Sequence, residues 1–152
     1  RLLLVMLMFV GGCAGSTAGS IKVIRFLIAA KLAAVQVQRF FRPRRVSRVR
    51  LGSEVVSADM LGTISGFFIL FLSSWAVIAL AVAASGADLV TAASASIACL
   101  GNVGPGLAAV GASQNYSELA DSAKLILAAG MIIGRLEVFT VLGLLSRSFW
   151  RP

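Results

Sequence analysis

Residues 88–106 read DLVTAASASIACLGNVGPG, an apolar segment followed directly by a glycine-rich run. As a helix at ~1.5 Å per residue, residues 88–99 are about 18 Å long, whereas the hydrocarbon core of a bilayer is about 30 Å thick. Asp88 is a suitable helix N-cap, and the glycines and Pro105 that follow Leu100 cannot continue a helix. We therefore predict a half-length helix over 88–99 and a loop over 100–106.

Longer apolar stretches flank this segment on both sides. Residues 62–84 carry no charge over 23 positions, and residues 123–146 are apolar apart from a few charged positions. Each is long enough for a membrane span, which needs about 20 residues. A span, a half-helix, a loop and a second span form the helix–pore loop–helix plan of potassium channels. The fold class predicted is an all-α membrane protein built on that plan.

The composition agrees with a membrane protein and excludes several kinds of enzyme. Of the 152 residues, 59% are hydrophobic and 13% charged, which is too little charge to cover the surface of a soluble domain. The chain has no histidine, which excludes Ser-His and Cys-His catalysis and histidine-ligated metals. Cys13 and Cys99 lie in small or apolar stretches and suggest no disulfide framework. Because Arg1 stands where an initiator Met is expected, we interpret the chain as a piece of a longer protein.

The first apolar element, residues 1–38, is predicted to be a membrane helix broken in its middle. Irregular backbone at membrane depth persists only where protein or a water-filled cavity satisfies its polar groups. We interpret the break as a deformable gating loop beside a pore; the alternative is a helix-packing face of small residues. The loop consists of ten small residues in a row: Gly11, Gly12, Cys13, Ala14, Gly15, Ser16, Thr17, Ala18, Gly19 and Ser20.

A basic segment separates this element from the first complete span. Nine of the 14 basic residues lie between Lys22 and Arg50. Beside membrane helices such a run indicates a cytoplasmic linker, which we place at residues 39–61. Arg147 and Arg151 place the C-terminus on the same side. A contact with anionic membrane lipid and a nucleic-acid patch are the alternatives, and we predict no nucleic-acid partner.

The loop at 100–106, the filter loop, can present successive backbone carbonyls to a cation. Carbonyl rings replace the hydration shell of potassium in selectivity filters, and the C-terminal end of the half-helix adds about half a negative charge. We predict potassium ligation by the carbonyls of Asn102 and Val103. An ordinary Gly-Pro turn is the alternative. The candidate filter residues are Gly101, Asn102, Val103, Gly104, Pro105 and Gly106.

Arg135 is a charge in the middle of a predicted span, where charges are costly and usually functional or paired. Glu137, two residues further on, does not face it on a helix. Arg135 is therefore a candidate barrier on the ion path or a structural tie between helices, and both roles are compatible. Lys22, just after the small-residue loop, is included as a gate candidate, although its side chain can also snorkel to the interface.

Four motifs in this order strongly resemble the TrkH family within the Trk/Ktr/HKT superfamily of potassium transporters. They are GGCAGSTAG with Ile21-Lys22-Val23, GNVGPG at 101–106, GRLEVFT at 134–140, and Phe149-Trp150-Arg151. The resemblance covers essentially the whole chain. Ser20 departs from it, because the family usually has glycine there, and we expect a slightly stiffer loop.

The resemblance implies more than the residues alone can. Residues 1–38 would be the last helix of the third of four repeats, and residues 62–148 the complete fourth repeat. Gly104 would be the filter glycine, and Arg135 the arginine that faces the gating loop. The remaining three repeats, a homodimer partner and a cytosolic nucleotide-binding ring like TrkA would be its partners. The location would be the bacterial inner membrane, with potassium as the transported ion and no bound cofactor.

Two other functions remain open at this point. The first is a non-conducting structural membrane subunit. The second is an intramembrane hydrolase with Ser16 or Cys13 as nucleophile, which lacks a histidine and has only Lys22 as a possible activating base. The expectation is a transporter and not an enzyme.

Overall fold

The computed structural model describes residues 2–13, 19–41, 50–51 and 54–136 of the chain. These residues form five α-helices, two short 3₁₀ turns and one two-stranded ladder. The helices are α1 (Leu2–Phe9), α2 (Val23–Phe41), α3 (Ala58–Ala84), α4 (Leu89–Leu100) and α5 (Asp121–Arg135), the 3₁₀ turns are Ala108–Val110 and Tyr116–Glu118, and the strands are β1 (Arg50–Leu51) and β2 (Glu54–Val55).

Helices α1 and α2 are the two halves of the predicted broken helix. The chain leaves α1 after Phe9 and returns to the same level at Ile21, where Val10 and Ile21 form a parallel bridge. The amide of Gly11 donates to the carbonyl of Ile21 at 2.8 Å, and the amide of Ile21 donates to Phe9 at 3.2 Å. The break is thus a loop whose two ends are hydrogen-bonded to each other, which confirms the predicted interruption.

Helix α3 is longer than the uncharged stretch predicts. It begins at Ala58 because the Ser57 hydroxyl accepts from the Met60 amide at 3.3 Å and Asp59 stands in the first turn, where a negative charge is favourable. Among the described residues, it is the helix long and apolar enough to cross a membrane, over Asp59–Ala84.

The segment between α2 and α3 is shorter than the linker predicted at residues 39–61. Helix α2 continues to Phe41, two residues before Pro43, and α3 begins at Ala58. Between them, β1 and β2 pair antiparallel, with Arg50 opposite Val55 and Leu51 opposite Glu54. The composition did not predict this small ladder. Residues 42–49 and 52–53 of the linker lie outside the described residues.

Helix α4 is short and is the most buried helix. The Asp88 carboxylate caps it by accepting from the Val90 amide at 3.2 Å, as the sequence predicts. Nine of its 12 residues are buried, and it packs against both α3 and α5. The Trp75 indole of α3 donates to the carbonyl of Ala93 at 3.1 Å and fixes the two helices side by side.

The other helices surround α4 or support α3. Phe9 of α1 meets Trp75 edge-on with ring centroids 5.4 Å apart, and Phe26 of α2 meets Phe68 at 5.3 Å. Helix α5 buries Ala123, Leu127 and Gly130, which recur on one helical face. The predicted span 123–146 is described only as far as Leu136, and its remainder and the C-terminus lie outside the described residues.

Candidate functional site

Helix α4 ends in a motif that turns the backbone sharply. Asn102 adopts a left-handed conformation with φ 53°, which asparagine tolerates better than most residues. The Val103 amide donates to the carbonyl of Ala98 at 2.8 Å, and the Asn102 amide donates to Cys99 at 3.0 Å. This pair of bonds is the Schellman pattern. The helix therefore stops at Leu100 and delivers the chain directly into the filter loop.

The carbonyls at the start of the filter loop remain available for a ligand. Within the described part of the chain, no hydrogen-bond donor reaches the carbonyl oxygens of Asn102 or Val103. Asn102, Val103, Gly104 and Pro105 are exposed, whereas Gly101 and Gly106 are buried. The open carbonyls lie just beyond the negative end of the α4 dipole, an arrangement that favours a cation.

Gly104 is glycine because of its backbone conformation. Its φ is 103°, a region that L side chains rarely adopt, while a Cβ placed there would meet no atom within 4 Å. The sequence argument that glycine permits carbonyl alignment therefore has a measurable basis at this position.

Hydrogen bonds from residues outside the filter loop hold its second half and the residue that follows it. The Tyr116 hydroxyl donates to the carbonyl of Gly104 at 2.7 Å. The Gly106 amide donates to Val110 at 2.8 Å. The buried hydroxyl of Ser94 accepts from the Leu107 amide at 3.0 Å. Burial, and secondarily the neighbouring Cys99, raise the pKa of the Tyr116 phenol above its ordinary value, so the hydroxyl keeps its proton and remains a donor.

The small-residue loop touches the base of the filter loop. A Cβ on Gly19 would overlap the carbonyl of Gly101, and a Cβ on Gly101 would overlap the hydroxyl of Ser20. The Ser20 hydroxyl donates to the carbonyl of Met8 at 2.6 Å, which ties the loop end to α1. Both glycines are required for space: Gly19 lies against the backbone of Gly101, and Gly101 lies against the Ser20 hydroxyl.

Helix α5 reaches the same place one residue before Arg135. A Cβ on Gly134 would overlap the carbonyl oxygen of Leu100 and lie 3.2 Å from the side-chain nitrogen of Asn102. That nitrogen donates to the carbonyl of Met131 at 3.3 Å. Arg135 is exposed in the last turn of α5, where a positive charge is favourable. Lys22 lies just before α2, and its carbonyl accepts from the Arg25 amide at 2.9 Å.

The structure brings together only some of the predicted site residues. The filter loop, Gly19 and Ser20 form one contact region, and Gly134, the residue before Arg135, also reaches it. Gly11 and Gly12 lie at the paired base of the small-residue loop, where Gly12 accepts from the Val23 amide at 3.2 Å. Cys13 is exposed. The tip of the gating loop lies outside the described residues: Ala14, Gly15, Ser16, Thr17 and Ala18.

Sequence reasoning missed the residues that support the filter loop from behind. Ser94 lies within the quoted half-helix but was assigned no role there, and Tyr116 lies outside the quoted motifs. Tyr116 had one available signal, since it is the only tyrosine of the chain and follows the filter loop within a polar segment. An amphipathic ring in that place indicates a group with both a packing face and a hydrogen bond to make.

The side chains do not suggest a conventional metal centre. In residues 2–13, 19–41, 50–51 and 54–136, no group of three or more His, Cys, Asp or Glu side chains could hold a metal ion.

Known proteins share this sequence and this architecture. The model of the TrkH family, described as cation transport protein, matches residues 1–150. The Trk system potassium uptake protein TrkH of Escherichia coli (strain K12) is 41% identical over 143 residues, which cover 94% of this chain and 29% of that protein. The uptake protein TrkI of Halomonas elongata is 38% identical over 95% of this chain and 30% of its own length.

A solved structure agrees with these relatives. The crystal structure of the potassium transporter TrkH from Vibrio parahaemolyticus matches with a TM-score of 0.89 and 38% identity, over 99% of this chain and 32% of that chain. The chain thus spans about three tenths of the length of the relatives it matches. Those relatives are named as potassium uptake proteins, not as enzymes, and their likeness confirms the predicted fold class of an all-α membrane protein. The chain belongs to the TrkH family of cation transport proteins.

Proposed function

We propose that this chain contributes to a pathway for potassium uptake across a membrane. The observation that carries the proposal is the end of α4 at Leu100. A half-length helix stops there, and the next carbonyls, those of Asn102 and Val103, accept no hydrogen bond from the residues that the structure describes. The names of the relatives, which are potassium uptake proteins, support the same function.

The filter loop would coordinate a potassium ion that has lost its water. The carbonyls of Asn102 and Val103 replace part of the hydration shell, and the negative end of α4 lowers the energy of the ion beside them. Gly104 allows the backbone to turn between these ligands and Pro105. One loop supplies one of four walls, and corresponding loops of the other repeats complete the ring.

The small-residue loop and Arg135 would control passage below the filter loop. Residues 11–20 all carry small side chains, and the end of this loop at Gly19 and Ser20 contacts Gly101. The Arg135 guanidinium repels cations and sets a barrier, and it also ties α5 to its neighbours. Lys22, just after the small-residue loop, adds a second positive charge.

The wider assembly is proposed by analogy with the family. We propose that residues 1–38 end the third repeat and residues 62–148 form the fourth. The full-length transporter would be a homodimer in the bacterial inner membrane, with residues 39–61 and the C-terminus in the cytoplasm. A cytosolic nucleotide-binding ring would dock on that face and regulate the gate.

Uptake of rubidium and sodium by the full-length transporter, in cells that lack other potassium uptake, tests the proposal. Gly104→Ser forces a side chain into a left-handed conformation and should abolish the preference for rubidium over sodium. Arg135→Ala removes the barrier and should raise flux without changing that preference.

Gly62→Ala provides the matched control, because a Cβ there meets no atom within 4 Å and the φ is ordinary. It should transport like the wild type. If Gly104→Ser and Arg135→Ala also behave like the wild type, the residues assigned here do not line the pathway, and the chain is a structural subunit.

A further inference from the structure

Gly104 lacks a side chain that would restrict its backbone dihedral angles, and no neighbouring atoms lie where a Cβ would be. Its position must therefore be fixed by its hydrogen bonds. No atom lies within 4 Å of the place of a Cβ. Its amide donates to the carbonyl of Ala98 at 3.4 Å, and its carbonyl accepts from Tyr116 at 2.7 Å. The first bond is long and weak, so the bond from the Tyr116 hydroxyl is the stronger restraint.

The Tyr116 ring is itself firmly placed. It packs against the core, and its hydroxyl oxygen accepts a hydrogen bond from the buried thiol of Cys99, with the sulfur and oxygen 3.8 Å apart. Its 3₁₀ turn is capped by Asn115, whose side chain accepts from the Ser117 amide at 3.1 Å. The two hydrogen bonds form a chain: the Cys99 thiol at the end of α4 donates to the Tyr116 hydroxyl, which in turn donates to the carbonyl of Gly104.

We propose that Tyr116 is a selectivity-determining positioning residue of the filter loop. It draws the carbonyl of Gly104 toward itself and so fixes the orientation of Gly104, whose preceding peptide plane carries the carbonyl of Val103. In the account of selectivity by cavity size, a carbonyl that is held in place discriminates between ions of different radius, whereas a carbonyl that follows the ion does not. This inference rests on the proposed function, because it needs an ion beside Val103.

Tyr116→Phe tests the inference, since it removes one hydroxyl and keeps the ring that packs on the core. The readout is the ratio of rubidium to sodium uptake by the full-length transporter, which does not depend on how much protein reaches the membrane. The expected result is a ratio lowered about threefold to tenfold, the range to which one neutral hydrogen bond corresponds. Ser117→Ala is the control, because its hydroxyl donates to Asn115 and, among the described residues, makes no hydrogen bond to the filter loop.

Each outcome decides one question. An unchanged ratio in Tyr116→Phe overturns the inference while leaving the proposed function intact. Loss of all uptake with normal membrane levels also overturns it, because Tyr116 would then be needed for an open pore and not for selectivity. If the wild type itself takes up no rubidium, the proposed function fails. Should Tyr116→Phe not reach the membrane, Asn115→Ala displaces the turn instead, and an unchanged ratio there overturns the inference.

Discussion

Two residues other than glycine adopt left-handed conformations at the contact between the small-residue loop and the filter loop. Ser20 has φ 61° and Asn102 has φ 53°. Each has a hydrogen bond from its own side chain that offsets the cost: Ser20 donates to Met8 and Asn102 donates to Met131. The neighbouring glycines differ in kind, because Gly104 is needed for its φ, whereas Gly19 and Gly101 are needed for close approach.

Two substitutions at Ser20 distinguish the contribution of its hydrogen bond to stability from the cost of its backbone strain. Ser20→Ala loses the bond to Met8 and keeps the left-handed conformation, so we expect a loss of about 1 kcal/mol of unfolding free energy. Ser20→Gly loses the same bond but removes strain of about 1–2 kcal/mol, so its stability should be close to the wild type. Thermal unfolding of the full-length protein in detergent measures both. A glycine variant less stable than the alanine variant would contradict this account.

At the scale of elements, helix α4 occupies the centre and the other elements converge on its C-terminal end. Gly19, at the end of the small-residue loop, approaches Gly101, and Gly134, in the last turn of α5, approaches Leu100. Such an approach of backbone to backbone is possible because glycine stands on α5 at Gly134 and on the loop at Gly19. Gly19 and Ser20, at the end of the small-residue loop, therefore contact the start of the filter loop directly.

The sequence predicts α4 to within one residue, because both of its ends carry strong local signals, the Asp88 cap and the glycines after Leu100. It predicts the start of α3 less well. The uncharged stretch 62–84 predicts a span that leaves out Asp59, whereas the Ser57 cap begins the helix at Ala58. The bond from Tyr116 to Gly104 could not be predicted. It joins residues 12 positions apart through an irregular segment, where periodicity carries no information.

Gly134→Ala tests whether α5 depends on close approach to α4. The added methyl would overlap the carbonyl of Leu100, which cannot move freely because it belongs to the last turn of α4. We expect a loss of about 1–3 kcal/mol of unfolding free energy, as for other overpacked sites, together with reduced uptake. Gly62→Ala on α3 is the control and should be neutral or stabilising by about 0.5–1 kcal/mol. Equal melting temperatures for the two variants would show that α5 does not need this contact.

At the scale of the whole molecule, much of the apolar surface is left uncovered. Leu3, Ile69 and Leu125, on three different helices, are each about 70% exposed. A water-soluble domain rarely exposes so many large apolar side chains together, whereas lipid and further helices can cover them. The candidate ligands are likewise presented from one side only, since the open carbonyls belong to a single loop between α4 and the first 3₁₀ turn.

One loop cannot surround an ion, so this chain by itself should not conduct. A dehydrated potassium ion needs oxygen ligands on all sides, and the carbonyls of Asn102 and Val103 leave most of its shell to be supplied by other segments. We expect liposomes containing this chain alone to take up rubidium no faster than empty liposomes, while liposomes with the full-length transporter take it up readily. Selective flux through the isolated chain would mean that copies of it assemble into a ring, and crosslinking would then show a tetramer in place of the four-repeat arrangement proposed above.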